Sequence, residues 1–555
     1  MREEVGLVLG TKDASPLEFW VGVLKNKYLE LDDIIEVSTK IPGKEEVVTF
    51  YGVVDHVRKI YEGVQFDSDT LLAEEGLIPV EVSYAAFVKV TRIEPEMYIP
   101  PHPGDKVFRS TTGVEKGLYF DRMERKLPVG IMRNGEVVYS NLEFINGEKG
   151  GHLSISGISG VATKTSYALF FLYSLFNSKA LGREKASTHA IIFNVKGEDL
   201  LFLDKPNRKL RDEERKKYKL LGLPSDKPFE SVKFYAPVRP YQLGIEVMTE
   251  KRKDGIYPYF WTIRDIAKKR ILRFLFSSGG DEEISTLMHA IRKIEDRLYE
   301  LSHVGDENAP LKKDGRKIDT LFDLKREIEL DGDWWFEGGN IASQTISALL
   351  RRLDHAAASA RSIIRPIPEG NFSPSSFRIS WKDSRLTVID INRLDSYSKM
   401  FVVGVILNDI FKEKEKSNTS RPLVFIMLDE LNKYAPKSGW SPIKELLLDI
   451  AERGRSLGIL LIGAQQTASE VEKRVFANSA IKVVGRLDPA ESERTEYDFL
   501  TPTLRKRAIM INSGTMIYHQ PDVPVPLLLR FPFPLWATKK EEVEEDEGNL
   551  PDFMK

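Results

Sequence analysis

Cysteine is absent from this 555-residue chain. That absence removes disulfides, zinc–thiolate sites, thiolate-bound clusters and cysteine nucleophiles together. It also removes any redox argument for an oxidising compartment. An excess of one charge is missing too: 81 Lys+Arg stand against 83 Asp+Glu, a net charge of −2. A uniformly basic nucleic-acid coat is therefore excluded, though a basic pore or groove is not. Long apolar runs are lacking as well. The most lipid-like stretch, Tyr167–Phe176, falls well short of the roughly 18 residues that span a bilayer. The start, Met1-Arg2-Glu3-Glu4, leads into short alternating segments rather than a targeting leader. What is present is 42% hydrophobic, 30% charged and 10% aromatic, the composition of a globular chain of roughly two to four domains. The expectation is a soluble, cytoplasmic protein with no membrane span.

Residues 1–125 predict an all-β unit. Val5–Leu9, Glu18–Val23, Ile34–Ser38, Glu46–Val54 and Ala86–Ile93 are short β-branched or aromatic runs separated by turn residues such as Pro42-Gly43-Lys44. That spacing suits a small barrel. Residues 126–262 change to strand, loop and helix, with strands at Leu153–Ser156 and Ala190–Val195 around the apolar helix Ser166–Phe176. The basic stretch 205–232 reads as a solvated surface loop. Residues 263–365 carry helical periodicity at Ile263–Phe276, Glu283–Ser302 and Ile341–Ile364 and read as a helical insertion. From 366 to 538 the α/β rhythm returns. Leu386–Ile391, Leu423–Leu428, Ile459–Ala464 and Ile481–Leu487 are strands, and Phe401–Phe411 and Ile443–Arg455 are helices. Doubly apolar strands alternating with helices predict an α/β class with a parallel sheet covered on both faces. Residues 539–555 form an acidic tail expected to be disordered.

Two segments carry chemistry. Gly157-Ile158-Ser159-Gly160-Val161-Ala162-Thr163-Lys164-Thr165 lies between a short strand and an apolar helix. Backbone N–H groups and a helix N-terminus there would face a phosphate. Lys164 would reach the β/γ-phosphates, and the Thr165 hydroxyl would sit on Mg²⁺. The usual glycines six places and one place before the lysine are replaced by Ile158 and Thr163. The segment is therefore either a phosphate loop with one extra residue or a Gly/Ser turn ahead of a helix. Farther on, the apolar strand Leu423–Leu428 delivers Asp429 and Glu430 to its C-terminal end. A magnesium carboxylate followed by a water-polarising base fits that pair. Together the two segments predict an ATP site, with Gly157, Ser159, Gly160, Ala162, Thr163, Lys164 and Thr165 around the nucleotide. Arg455, at a helix end, suits transition-state charge in a neighbouring subunit, and Gln465-Gln466 close the next strand with amides.

At this point the chain resembles the HerA–FtsK superfamily of ring-forming ATPases, and within it the HerA branch. Asp429-Glu430-Leu431-Asn432-Lys433-Tyr434-Ala435-Pro436 is similar to that family's acidic strand end and the turn after it. Ala451-Glu452-Arg453-Gly454-Arg455 with Ala464-Gln465-Gln466, and Asn194-Val195-Lys196-Gly197-Glu198, resemble further family segments. The resemblance implies a RecA-like P-loop core behind an N-terminal barrel. It also implies ATP and Mg²⁺ as ligands, with Lys164 and Thr165 on the phosphates and Asp429 as metal carboxylate. Glu430 becomes the catalytic base, Gln466 the sensor and Arg455 the inter-subunit arginine. A homohexameric translocase of double-stranded DNA is implied, acting with a NurA-like nuclease or a defence effector in DNA end processing or anti-phage defence. The altered loop and Asn194 in place of an acidic residue leave a nucleotide-gated scaffold as the alternative. A hydrolase in the helical insertion is disfavoured, because Asp331, Asp333, Glu337 and His355 have no metal-site spacing.

Overall fold

The computed structural model describes residues 2–64, 66–158, 164–240, 244–276, 281–306, 309–367 and 374–543. The chain folds as two compact units. One comprises Met1–Leu142, Ser178–Ala180 and Ile481–Phe531; the other comprises Glu143–Asn177, Leu181–Ala480 and Pro532–Lys555.

The first unit begins with six strands: β1 (Arg2–Val8), β2 (Glu18–Val23), β3 (Ile34–Lys40), β4 (Val47–Glu62), β5 (Glu81–Glu94) and β6 (Lys106–Ser110). They close into an antiparallel barrel in the order β1-β2-β5-β4-β3-β6. Val5, Phe19, Val37, Phe50, Val88 and Val107 alternate inward to fill it. Gly52 lets β4 lie close on β5, since a Cβ there would stand 2.5 Å from a Val88 methyl. A short helix α1 (Asp69–Glu74) links β4 to β5, and α2 (Thr111–Gly117) follows β6. Strands β7 (Lys126–Ile131) and β8 (Val137–Asn141) pair as a hairpin.

The second unit is a parallel sheet with helices. Its elements in order are β9 (Leu153–Ser156), α3 (Lys164–Asn177), β10 (His189–Asn194), α4 (Asp212–Leu220), β11 (Val232–Pro237) and β12 (Ile256–Tyr259). A helical segment follows, with α5 (Ile263–Lys269), α6 (Asp281–Ser302), the hairpin β13 (Leu311–Lys313) and β14 (Arg316–Ile318), α7 (Leu321–Leu330), α8 (Gly332–Phe336) and α9 (Ser343–Ser359). The chain then returns through β15 (Leu386–Asp390), α10 (Ser396–Ser417), β16 (Val424–Asp429), α11 (Leu431–Tyr434), α12 (Pro442–Leu457) and β17 (Ile459–Gln465). The strands lie in the order β12-β11-β15-β10-β16-β17-β9, and every neighbouring pair is parallel. Every residue of β15, β16 and β17 is buried, as a sheet covered on both faces requires. Helix α12 shows the local logic. Ser441 caps its start by accepting from the Lys444 N–H, Pro442 occupies the first turn, and Gly458 ends it in the left-handed region.

Strands β18 (Ile481–Val484), β19 (Thr515–His519) and β20 (Leu527–Arg530) return to the first unit. There they run antiparallel, with β20 pairing β7.

The α/β class and the N-terminal barrel agree with expectation. Three local segments differ from it. Residues 205–232, read as a loop, contain α4, whose Asp212, Glu213 and Glu214 open the first turn while Lys217 and Lys219 close the last. That charge order suits the helix dipole, and the buried Tyr218 anchors the helix against Tyr173. The helix expected over Ile263–Phe276 stops at Lys269, where Arg270 turns left-handed, and a 3-10 turn follows. Within the expected acidic tail, Lys540–Glu542 form a 3-10 turn, while residues 544–555 lie outside the described residues.

Candidate functional site

Strands β9 and β10 are consecutive along the chain, yet β17 and β16 lie between them. Their C-terminal ends therefore bracket a switch point, where ligands of open α/β sheets bind. Four strand ends meet there: Ser156-Gly157 on β9, Gln465 on β17, Asp429-Glu430 on β16 and Asn194 on β10.

Helix α3 starts at Lys164, directly after the glycine-bearing segment. Ser159, Gly160, Ala162 and Thr163 lie outside the described residues. Lys164 is buried, and its Nζ donates to the Gly157 carbonyl at 2.5 Å. Burial pushes its ammonium down to about 8, with Asp429 pulling the other way and Lys196 adding to the fall. One residue on, the Thr165 hydroxyl donates to Asp429 Oδ2 at 3.1 Å. The start of α3 is thereby joined to the end of β16 across the intervening β17.

Asp429 is buried. Its Oδ2 also faces Lys196 Nζ at 3.3 Å, and its Oδ1 accepts from the Glu430 N–H at 2.9 Å. Glu430 sits in the left-handed region at φ +58°, an uncommon conformation for a side-chain-bearing residue. Its carboxylate pairs with Lys433 Nζ at 2.6 Å and faces Lys196 Nζ at 3.7 Å. Burial pushes the Glu430 carboxyl up, but the Lys433 bond and the charges of Lys433, Lys196 and Lys399 outweigh it, and the net direction is down.

Gln465, at the tip of β17, is fully buried, and its Nε2 donates to Ser154 Oγ on β9 at 2.7 Å. Gln466, the residue expected as sensor, is exposed one position past the strand. Arg455 stands at the C-terminal end of α12, where the chain enters β17, so it lies at the edge of the sheet opposite these strand ends. It is exposed and donates to the Lys149 carbonyl at 3.2 Å. Gly157, Lys164, Thr165, Asp429 and Glu430 are thus brought together, whereas Arg455 lies toward the other end of β17 and Gln466 is exposed just past its tip.

The sequence marks Gln465 as one of two amides closing a strand and leaves Lys196 and Lys433 without a role. The i,i+3 spacing of Glu430 and Lys433 on a short helix was the available signal for one of them. A magnesium–phosphate group fits this donor set. Thr165 Oγ1 and Asp429 Oδ2 converge on one point, a buried ammonium stands beside them, and a second carboxylate follows. Among the described residues no cluster of three or more His, Asp or Glu could hold a metal, so phosphate oxygens and water would have to complete its shell.

No family model matches the chain, and no curated protein matches it. Solved structures do. The chain is similar to the bacterial conjugative coupling protein TrwBdeltaN70 in an unbound form, at 12% identity over 77% of this chain and 94% of that one, with a TM-score of 0.49. It is also similar to VirB4 of Thermoanaerobacter pseudethanolicus, at 15% identity over 74% and 96% with a TM-score of 0.44. A third is the plasmid coupling protein TrwB in complex with ADP and Mg²⁺, at 14% identity over 76% and 94% with a TM-score of 0.47.

Proposed function

We propose that this chain is a HerA-type ATPase. In this reading it binds ATP and Mg²⁺ at the ends of β9, β16 and β17, assembles as a homohexameric ring and moves double-stranded DNA. A NurA-like nuclease or a defence effector would be its partner, in DNA end processing or anti-phage defence. The observation that carries the reading is the junction of Lys164, Thr165 and Asp429, which joins a helix N-terminus to an acidic strand end across one intervening strand. Bound Mg²⁺ would neutralise phosphate charge and align the γ-phosphate for attack by water. Lys164 binds phosphate charge from its buried position. Thr165 and Asp429 hold the metal. Glu430, ionised at neutral pH, orients the attacking water and accepts its proton on a carboxylate oxygen. Gln465, locked to Ser154, keeps an amide at the floor between the two strand ends. Among the described residues no helix is long and apolar enough to cross a membrane, which suits the cytoplasmic setting proposed.

A second reading, a nucleotide-gated scaffold with slow turnover, is favoured by the pairing of Glu430 with Lys433, which occupies the base. Mass measurement with and without ATP, applied to Lys164→Ala and Glu430→Gln, separates the two. A motor loses DNA-stimulated hydrolysis in both variants. A scaffold loses assembly in Lys164→Ala and keeps its function in Glu430→Gln. An assembled ring that neither binds DNA nor is stimulated by it refutes the motor.

A further inference from the structure

Lys196 brings a cation to the acidic pair at the end of β16. It stands on the turn after β10, and its Nζ faces both Asp429 at 3.3 Å and Glu430 at 3.7 Å. The turn that carries it is held at every corner. Asn194 Nδ2 donates to Asp390 Oδ1 at 2.8 Å and to the Gly197 carbonyl at 2.7 Å. The Gly197 N–H donates to Asn392 Oδ1 at 3.0 Å. The buried Glu198 accepts from the Glu250 and Lys251 N–H groups, each at 2.7 Å, and pairs with Arg393 at 3.4 Å. A lysine presented by so many anchors is placed there by the fold, although its own side chain is half exposed.

The charge arithmetic gives that placement a purpose. Asp429 Oδ2 accepts from both the Thr165 hydroxyl at 3.1 Å and Lys196 Nζ at 3.3 Å, so a carboxylate oxygen that would ligate a divalent cation already carries a cationic partner. Two ionised carboxylates beside a phosphate chain would repel it unless a cation lies between them. We infer that Lys196 is a charge stand-in for the metal: it neutralises Asp429 and Glu430 while no metal is bound, yields Asp429 when Mg²⁺ arrives, and moves its ammonium onto the phosphate chain. This rests on the ATP-site reading above and deepens it, assigning Lys196 as a charge-balancing, positioning residue of that site.

The test uses the full-length chain and its Lys196→Gln and Lys196→Arg variants. Mn²⁺ binding without nucleotide is read by electron paramagnetic resonance. Binding of a fluorescent methylanthraniloyl ATP is read once with Mg²⁺ and once with EDTA. Removing one charge at this distance should tighten Mn²⁺ binding of Lys196→Gln roughly tenfold, between the screened and half-buried limits for an ion pair. The same variant should lose analogue affinity in EDTA by about tenfold while losing much less in Mg²⁺, and Lys196→Arg should behave as wild type. Wild-type Mn²⁺ affinity in Lys196→Gln overturns the inference. So does an equal loss of nucleotide in both conditions, which marks an ordinary phosphate ligand or a folding defect. Should wild type bind no nucleotide in Mg²⁺, the ATP reading fails, yet the Mn²⁺ measurement still decides for or against Lys196.

Discussion

Asp390 ends β15 as a fully buried carboxyl, and replacing it by asparagine should change how stability depends on pH. Its Oδ1 accepts from Asn194 Nδ2 at 2.8 Å and from the Asn392 N–H at 3.4 Å, while Oδ2 has no hydrogen-bond partner among the described residues. Burial is the leading cause that lifts the carboxyl to about 7. The Asn194 and Asn392 bonds oppose it, the Glu198 charge adds to it, and Arg393 opposes it. A carboxyl raised on folding binds protons more tightly in the native state. Its contribution to stability is therefore complete below the unfolded value near 4 and is lost as pH rises to about 7. At about 1.4 kcal/mol per pH unit, the loss between pH 5 and 8 is about 3 kcal/mol. An asparagine side chain would carry no such loss, but its amide N–H would take the place of Oδ2 without an acceptor, a fixed cost of about 1–3 kcal/mol. Asp390→Asn should thus be neutral or destabilising at pH 5 and stabilising at pH 8. Paired urea unfolding curves at several pH values measure the difference. A stability difference between wild type and Asp390→Asn that stays constant from pH 5 to 8 refutes the reasoning.

Gly458→Ala should destabilise the second unit by about 3 kcal/mol or more, because the backbone is at φ +69° and a Cβ would stand 2.0 Å from the Ser420 carbonyl oxygen. Urea unfolding reads it directly. In the first unit Arg507 clasps Asp32 with two bonds of 2.8 and 2.7 Å, so Arg507→Ala should cost about 1–3 kcal/mol. A double-mutant cycle with Asp32→Ala should recover a favourable coupling, and zero coupling would show the pair to be idle. Lys433→Ala removes the bond that does most to hold the Glu430 carboxyl down. A base must be ionised to act, so the acidic limb of the pH–rate profile for ATP hydrolysis should move to higher pH. An unmoved limb would exclude Glu430 as the titrating group.

The elements most readable in the sequence are those with one burial regime along their whole length. Leu423–Leu428 and Ile459–Ala464 are continuous apolar runs because both faces of β16 and β17 are covered, and short apolar runs of this length favour a buried strand over an amphipathic helix. Strand β12, Ile256-Tyr257-Pro258-Tyr259, hides because it lies at a sheet edge, where proline is tolerated and burial is partial. Helix α4 hides because a single buried residue, Tyr218, carries its packing, so no apolar period exists to detect. Asp429 and Glu430 were readable because a strand delivers them. Lys196 was visible as a motif without a role, since its partner lies 233 positions away in the chain. Gln465 is buried at the end of β17 while Gln466, one position on, is exposed, since one step along a strand moves a side chain from one face to the other.

Gln465, the buried member of this amide pair, ties the tip of β17 to its neighbour. The strand carrying Gly157 and the strand carrying Asp429 are not neighbours, so they cannot share backbone hydrogen bonds. Their relative position depends on β17 and on what its last side chain does. Gln465 donates to Ser154 of β9, while its Oε1 has no hydrogen-bond partner among the described residues. An orphaned buried acceptor costs about 1–3 kcal/mol, which a leucine at this position would avoid. An amide that holds β9 with one end and keeps an acceptor open with the other suits a place where a donor arrives later. Thr165, reaching from α3 to Asp429, makes a contact that spans β17. Backbone ladders through β17 set the spacing of these two strand ends, whereas the Thr165–Asp429 bond that reaches across β17 is a side-chain contact, and side-chain contacts can be remade when a ligand binds.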